Sequence, residues 1–162
     1  MPASPARKPT VPLAQGLVER LRSVHLQMVD AVLGGDGLER VARLAADAAG
    51  APVAIVIPRL GAATAAGGGA ELEAAVGALR RYVGDRVKDR PSPVPPQLVT
   101  EVPIASGDEV VGAVVLLRGP GEPSEDAAEY LHLAAVASLT EVAIEEAKEE
   151  VEQNLRGSFL ED

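Results

Sequence analysis

Cysteine and tryptophan are absent from this chain, and Tyr82, Tyr130 and Phe159 are its only aromatic residues. The first absence removes disulfides, thiolate metal sites and any thiol nucleophile together. It also agrees with a reducing cytoplasm, the expected location. The shortage of aromatics leaves a core that Ala, Val and Leu must fill. Histidine is scarce as well: His25 and His132 fall on different predicted helices, and neither meets a carboxylate at metal-ligand spacing. No metal, no cofactor and no enzymatic activity are therefore expected. The chain has no uninterrupted apolar run near the ~20 residues that cross a bilayer. Its opening, MPASPARKPTVP, lacks the apolar stretch of a secretory signal, so residues 1–12 read as a flexible tail.

Positive charge is missing from one region in particular. The net charge is −9, and residues 124–162 hold eleven acidic side chains against Lys148 and Arg156 alone. Residues 1–123 are balanced. Nucleic acid is recognised by clustered Lys and Arg, and a membrane surface by a basic amphipathic face. The chain offers neither, so direct contact with DNA, RNA or lipid is not expected.

What is present reads as one domain, since 162 residues can bury about 70% of their unfolded surface in a single core. Leu17, Leu21, Val24, Met28 and Val32 recur at helical spacing over residues 13–33. After the turn Gly34-Gly35-Asp36-Gly37, Asp36 with Glu39 has the pattern of a capping box opening a second helix, which Gly50 stops. Val53–Ile57 is a buried strand by length and β-branching. Residues 59–70, rich in Ala and Gly, read mainly as a mobile loop with room for one edge strand. A third helix follows over about 71–89, and Pro91–Pro96 is an extended linker that no helix crosses. Residues 98–105 and 110–117 form a hairpin around Ser106-Gly107-Asp108-Glu109. The second of these strands is apolar on both faces, with Gly112 marking a close backbone approach.

A long helix closes the chain over residues 123–157, with Ser124 as its N-cap and Gly157 as its stop. It is apolar nearly all round as far as Ile144, and then narrows to Ile144, Ala147, Val151 and Leu155 among glutamates, a coiled-coil-like seam. One face belongs on the sheet. The other is covered by a second copy of the chain, by the N-terminal helices of the same chain, or by both. The first option predicts a homodimer through Leu17, Leu21, Val24, Met28, Leu131, Ala135, Leu139, Val142, Val151 and Leu155. The order of elements predicts an α+β fold: a mainly antiparallel sheet with helices stacked on one side.

The run Val102-Pro-Ile-Ala-Ser-Gly-Asp-Glu-Val-Val-Gly-Ala-Val-Val-Leu-Leu117, then Tyr130-Leu131 and the Ala-rich helix, resembles the closing half of a GAF domain. Leu38–Gly50 followed by Pro52-Val-Ala-Ile-Val-Ile57 resembles its opening half. The ending, Ala143-Ile-Glu-Glu-Ala147 and Glu152-Gln-Asn-Leu-Arg-Gly-Ser-Phe-Leu-Glu-Asp162, is similar to the joint between sensor and next module in regulators of the PucR/CdaR type. The resemblance implies a sensory and dimerising domain over 13–157, with residues 158–162 beginning a linker. In such regulators a helix-turn-helix outside these residues binds DNA; none lies within them.

The resemblance also places a small-molecule pocket between the sheet and the segment 59–89. Arg59, Thr64, Tyr82, Arg86 and Thr100 are the polar candidates to line it, and an arginine there would suit a small acidic metabolite. Relatives of this type that reduce methionine sulfoxide or attach bilins need cysteine, so those chemistries are closed. Gly67-Gly68-Gly69 lacks the Gly-Lys-Ser/Thr of a phosphate loop. The alternative is a ligand-free GAF-like module that serves dimerisation or interaction in another signalling protein.

Overall fold

The structure is a computed structural model that describes residues 11–161. Residues 1–10 of the expected tail lie outside the described residues, whereas Val11 and Pro12, also assigned to that tail, belong to the first helix. The elements run α1 (Val11–Leu33), α2 (Gly37–Ala49), β1 (Val53–Ile57), a short 3-10 turn (Pro58–Leu60), β2 (Ala62–Ala66), α3 (Ala70–Val87), β3 (Leu98–Ser106), β4 (Glu109–Leu117) and α4 (Ala127–Glu161). The four strands form one antiparallel sheet in the order β2-β1-β4-β3. The fold is α+β, as expected.

The helices divide between the two faces of that sheet. Alternation turns Val53, Ile55 and Ile57 of β1 and Val114 and Leu116 of β4 toward α2 and α4, on which α1 packs in turn. It turns Ala54 and Val56 of β1 and Ala113, Val115 and Leu117 of β4 the other way, under Leu79, Tyr82 and Val83 of α3. Stacking on one side is thus corrected to three layers. The physical reason is already in β1 and in β4 from Val110 onward, which carry no polar side chain and need a cover on each face. The register slips between Ile104 and Ala105, so that Val111 is left as the extra residue of a bulge. Beside it Gly112 passes so close to β1 that a Cβ would press on the Val56 carbonyl oxygen and stand 3.1 Å from the Ile57 Cα.

Several helix ends differ from expectation. Asp36 precedes α2 in a helical conformation with no side-chain cap bond, so no capping box forms. Ser124 does not open α4 either. Its hydroxyl lies 3.3 Å from the carbonyl oxygens of Ala48 and Ala49, where it serves the C-terminal end of α2, and α4 begins three residues later. Gly157 does not stop α4, which runs on to Glu161. The expected mobile loop after Pro58 is ordered as the 3-10 turn and β2, with Gly61 and Gly67 supplying positive φ at its two ends.

At ~1.5 Å per residue α4 is about 50 Å long. By length and composition it is apolar enough to cross a membrane. Here its first half is core: Leu131, Ala134, Ala135, Ala137 and Val142 are buried against the sheet and against α1 and α2. Buried Ser138 turns its hydroxyl back to the Ala134 carbonyl at 2.7 Å, which satisfies it within the helix. Asp126 steadies the start, accepting a hydrogen bond from the Tyr130 hydroxyl at 3.0 Å and lying 3.8 Å from Arg20 of α1. After Glu145 the residues up to Arg156 are exposed, and the helix leaves the domain.

Candidate functional site

The five polar residues expected to share a pocket do not converge. Arg59 sits in the 3-10 turn after β1 and reaches toward α4, donating to Glu146 at 2.8 Å and to Glu109 of β4 at 2.5 Å. Thr64 pairs with Ile55 and Thr100 with Leu116, so both share the face of the sheet that α2 and α4 cover. Only Tyr82 and Arg86 meet, on the opposite face. The segment 59–89 therefore splits across the sheet, which the expectation of one-sided stacking had hidden.

What joins Tyr82 to Arg86 is Glu101. Four residues apart on α3, the two project from one side of the helix toward β3. The Tyr82 hydroxyl donates to Glu101 Oε1 at 2.5 Å, and Arg86 Nη2 stands 3.2 Å from the same oxygen. The guanidinium carbon also lies 5.8 Å from the Tyr82 ring centre, within cation–π range. Tyr82 is buried, and that burial pushes its phenol above the ordinary tyrosine range. The hydrogen bond to the Glu101 carboxylate pushes the same way, while the Arg86 charge pulls back. Sequence reasoning missed Glu101. The available signal was the one charged residue of a mainly apolar strand, between Thr100 and Val102.

Beside this cluster a cleft of about 600 Å³ opens between the C-terminal end of α3 and the β3–β4 hairpin. Val83, Val87, Pro103, Val110 and Ala113 form its apolar walls, and Arg86, Glu101, Asp89 and Arg90 bring charge to it. Asp89 holds φ at 54°, a left-handed conformation that turns the chain sharply out of α3. Arg90 follows directly and makes no ion pair among the described residues. The arrangement can hold an anionic group against Arg90 and Arg86, with the apolar walls taking the rest of a small molecule. Among the described residues no group of three or more His, Asp or Glu is placed to hold a metal ion.

The residues expected at a dimer interface divide in a similar way. Met28, Leu131, Ala135 and Val142 are buried within the one chain. Leu17, Leu21, Val24 and Leu139 are half-buried, and only Val151 and Leu155 are largely exposed. The N-terminal helices of the same chain thus cover much of the face assigned to a second copy. Besides Val151 and Leu155, the exposed large apolar side chains of these helices are Val18, Leu26 and Leu33 on α1 and Val136 on α4.

Comparison of this chain with family models, with characterised proteins and with solved structures finds no match. Its own geometry is what a functional reading has to stand on.

Proposed function

We propose that this chain is a GAF-like sensory and dimerising domain of a cytoplasmic PucR/CdaR-type transcription regulator, without enzymatic activity and without direct contact to DNA. Supporting this reading are the antiparallel sheet between α3 and the three other helices, and the order of elements quoted above for the resemblance. One observation carries it furthest. The strand β4 lines the charged cleft through Val110, Gly112 and Ala113, and its first residue, Glu109, shares Arg59 with the point where α4 leaves the domain. A ligand in the cleft and the overhanging helix thus touch the same strand end.

The ligand is a small metabolite with a carboxylate or similar anion, set against Arg90 and Arg86. The test is a thermal-shift panel of sugar acids, purine breakdown products and amino acids. A hit should raise Tm by several degrees, and Arg90→Ala should abolish that rise. Shifts that survive Arg90→Ala would place the ligand elsewhere.

Dimerisation uses the exposed stripe rather than the buried one. Val136, Thr140, Ala143 and Ala147 follow one another at steps of four, three and four residues, and Val151 and Leu155 continue the line. All six are exposed in the single chain.

A specific observation favours the ligand-free alternative. Glu101 already satisfies both Tyr82 and Arg86, so that part of the cleft is complete without a ligand. A panel with no hit, combined with a stable dimer, would decide for the interaction module.

A further inference from the structure

The two edges of the sheet are treated differently. β3 carries the devices that keep an edge strand from pairing: Pro103, the charged Glu101 and two breaks of register. β2, the other edge, carries none of them. It is Ala62-Ala63-Thr64-Ala65-Ala66, without proline or charge, and its five residues pair with β1 in unbroken register. Among the described residues no strand pairs with its outer side. A groove of about 730 Å³ runs along residues 63–66, with Glu39 and Arg43 of α2 at one rim and Leu72, Glu73 and Val76 of α3 at the other.

Two further features define what fits there. The strand reads the same in both directions about Thr64, so an antiparallel copy in central register sets threonine against threonine and alanine against alanine. That self-complementarity is what a twofold interface requires. Glu39 and Arg43 make no ion pair among the described residues. The α2 rim thus offers one charge of each sign, and a copy turned by a twofold axis presents the opposite order; the α3 rim adds Glu73 on the other face of the sheet.

We propose that β2 pairs antiparallel with β2 of a second copy about an axis through Thr64, joining the two four-stranded sheets into one. Backbone hydrogen bonds supply the attraction, as in strand addition generally. The Thr64–Thr64 contact and the Glu39–Arg43 rims set the register. This interface uses a different surface from the α4 stripe and does not depend on it. A chain that uses both joins its dimers into larger assemblies.

The absence of cysteine makes the test clean, because a single introduced thiol reports without background. Thr64→Cys, Ala63→Cys and Leu155→Cys are each oxidised mildly at high protein concentration and run without reductant. A nitroxide label on Thr64→Cys provides a second readout that needs no disulfide geometry. The proposal expects a cross-linked dimer and dipolar broadening from Thr64→Cys. Ala63→Cys should cross-link at least about tenfold more slowly, since central register sets it opposite residue 65 of the other copy. Thr64→Lys should weaken self-association about tenfold by setting like charges face to face. Absence of both cross-link and broadening for Thr64→Cys overturns the edge pairing, and equal rates for Thr64→Cys and Ala63→Cys overturn its register. Leu155→Cys reports on α4 alone, so failure of one interface is distinguishable from failure of the other.

Discussion

Arg59 Nη1 lies 2.8 Å from Glu146 Oε1 across 87 residues of chain, and its other nitrogen is held by Glu109. Both contacts, first the bond to Glu146 and then the charge of Glu109, raise the guanidinium pKa and keep its charge fixed. The pair marks the place where α4 passes from the domain into solvent. Neutralising it with Glu146→Gln should leave Tm nearly unchanged, because exposed ion pairs contribute little to global stability. Amide exchange should instead speed up along residues 146–156, and high salt should have the same effect on the unaltered protein. Exchange that stays the same in Glu146→Gln would show that the pair holds nothing in place.

Tyr82 gives the domain an alkaline dependence. A phenol whose folded pKa is raised stabilises the fold fully below the unfolded value, about 10, and loses that contribution as pH rises through the folded value. Chemical denaturation between pH 8 and 11 should therefore show stability falling above roughly pH 10. Tyr82→Phe, which has no phenol to ionise, should be less stable at pH 8 by about 0.5–1.5 kcal/mol for the lost bond to Glu101. Its profile should be flatter at high pH. Parallel profiles for the two proteins would rule out Tyr82 as the source.

Gly112→Ala tests the crossing of β4 over β1. The new methyl group meets the Val56 carbonyl oxygen and the Ile57 Cα, both backbone atoms in the middle of the sheet that cannot swing aside. The expected cost is about 1–3 kcal/mol or more, read as a shift of the urea midpoint. Gly77→Ala, on α3 with nothing within 4 Å of the added group, should be neutral or stabilising by up to about 1 kcal/mol.

Leu131 and Leu155 separate core from interface. Leu131 is fully buried, and Leu131→Ala should cost about 2–5 kcal/mol at any protein concentration. Leu155 is 59% exposed, so Leu155→Glu should leave the fold intact. If α4 pairs with a second copy, light scattering should show a smaller mass than for the unaltered chain, and that of one chain when Thr64→Lys is added. A mass that does not change removes Leu155 from the interface.

Much of this arrangement was legible before any coordinates. The unbroken apolar run of β4 demanded two covers, and Gly112 within it announced a backbone at close quarters. The hairpin and the reach of α4 beyond the domain also follow from local pattern. What stayed hidden depends on partners distant in sequence. Ser124 has the identity of an N-cap, yet the end of α2 lies nearer than the start of α4. β2 is nearly all alanine, and only its ladder with β1 makes it a strand. Glu101 looks like any strand carboxylate until α3 crosses above it and brings Tyr82 and Arg86 to one oxygen.

No proline or glycine interrupts α4 between Ala127 and Arg156, so the helix has no hinge along that length. It behaves as a stiff lever, with the sheet gripping one arm and the Arg59–Glu146 pair close to the fulcrum. From Glu146 to Arg156 the free arm spans roughly 15 Å. A small tilt at the sheet arrives at Leu155 enlarged in proportion to that arm, and a rotation arrives with its angle intact. A module joined to this end would receive a mechanical displacement, delivered without a chemical messenger.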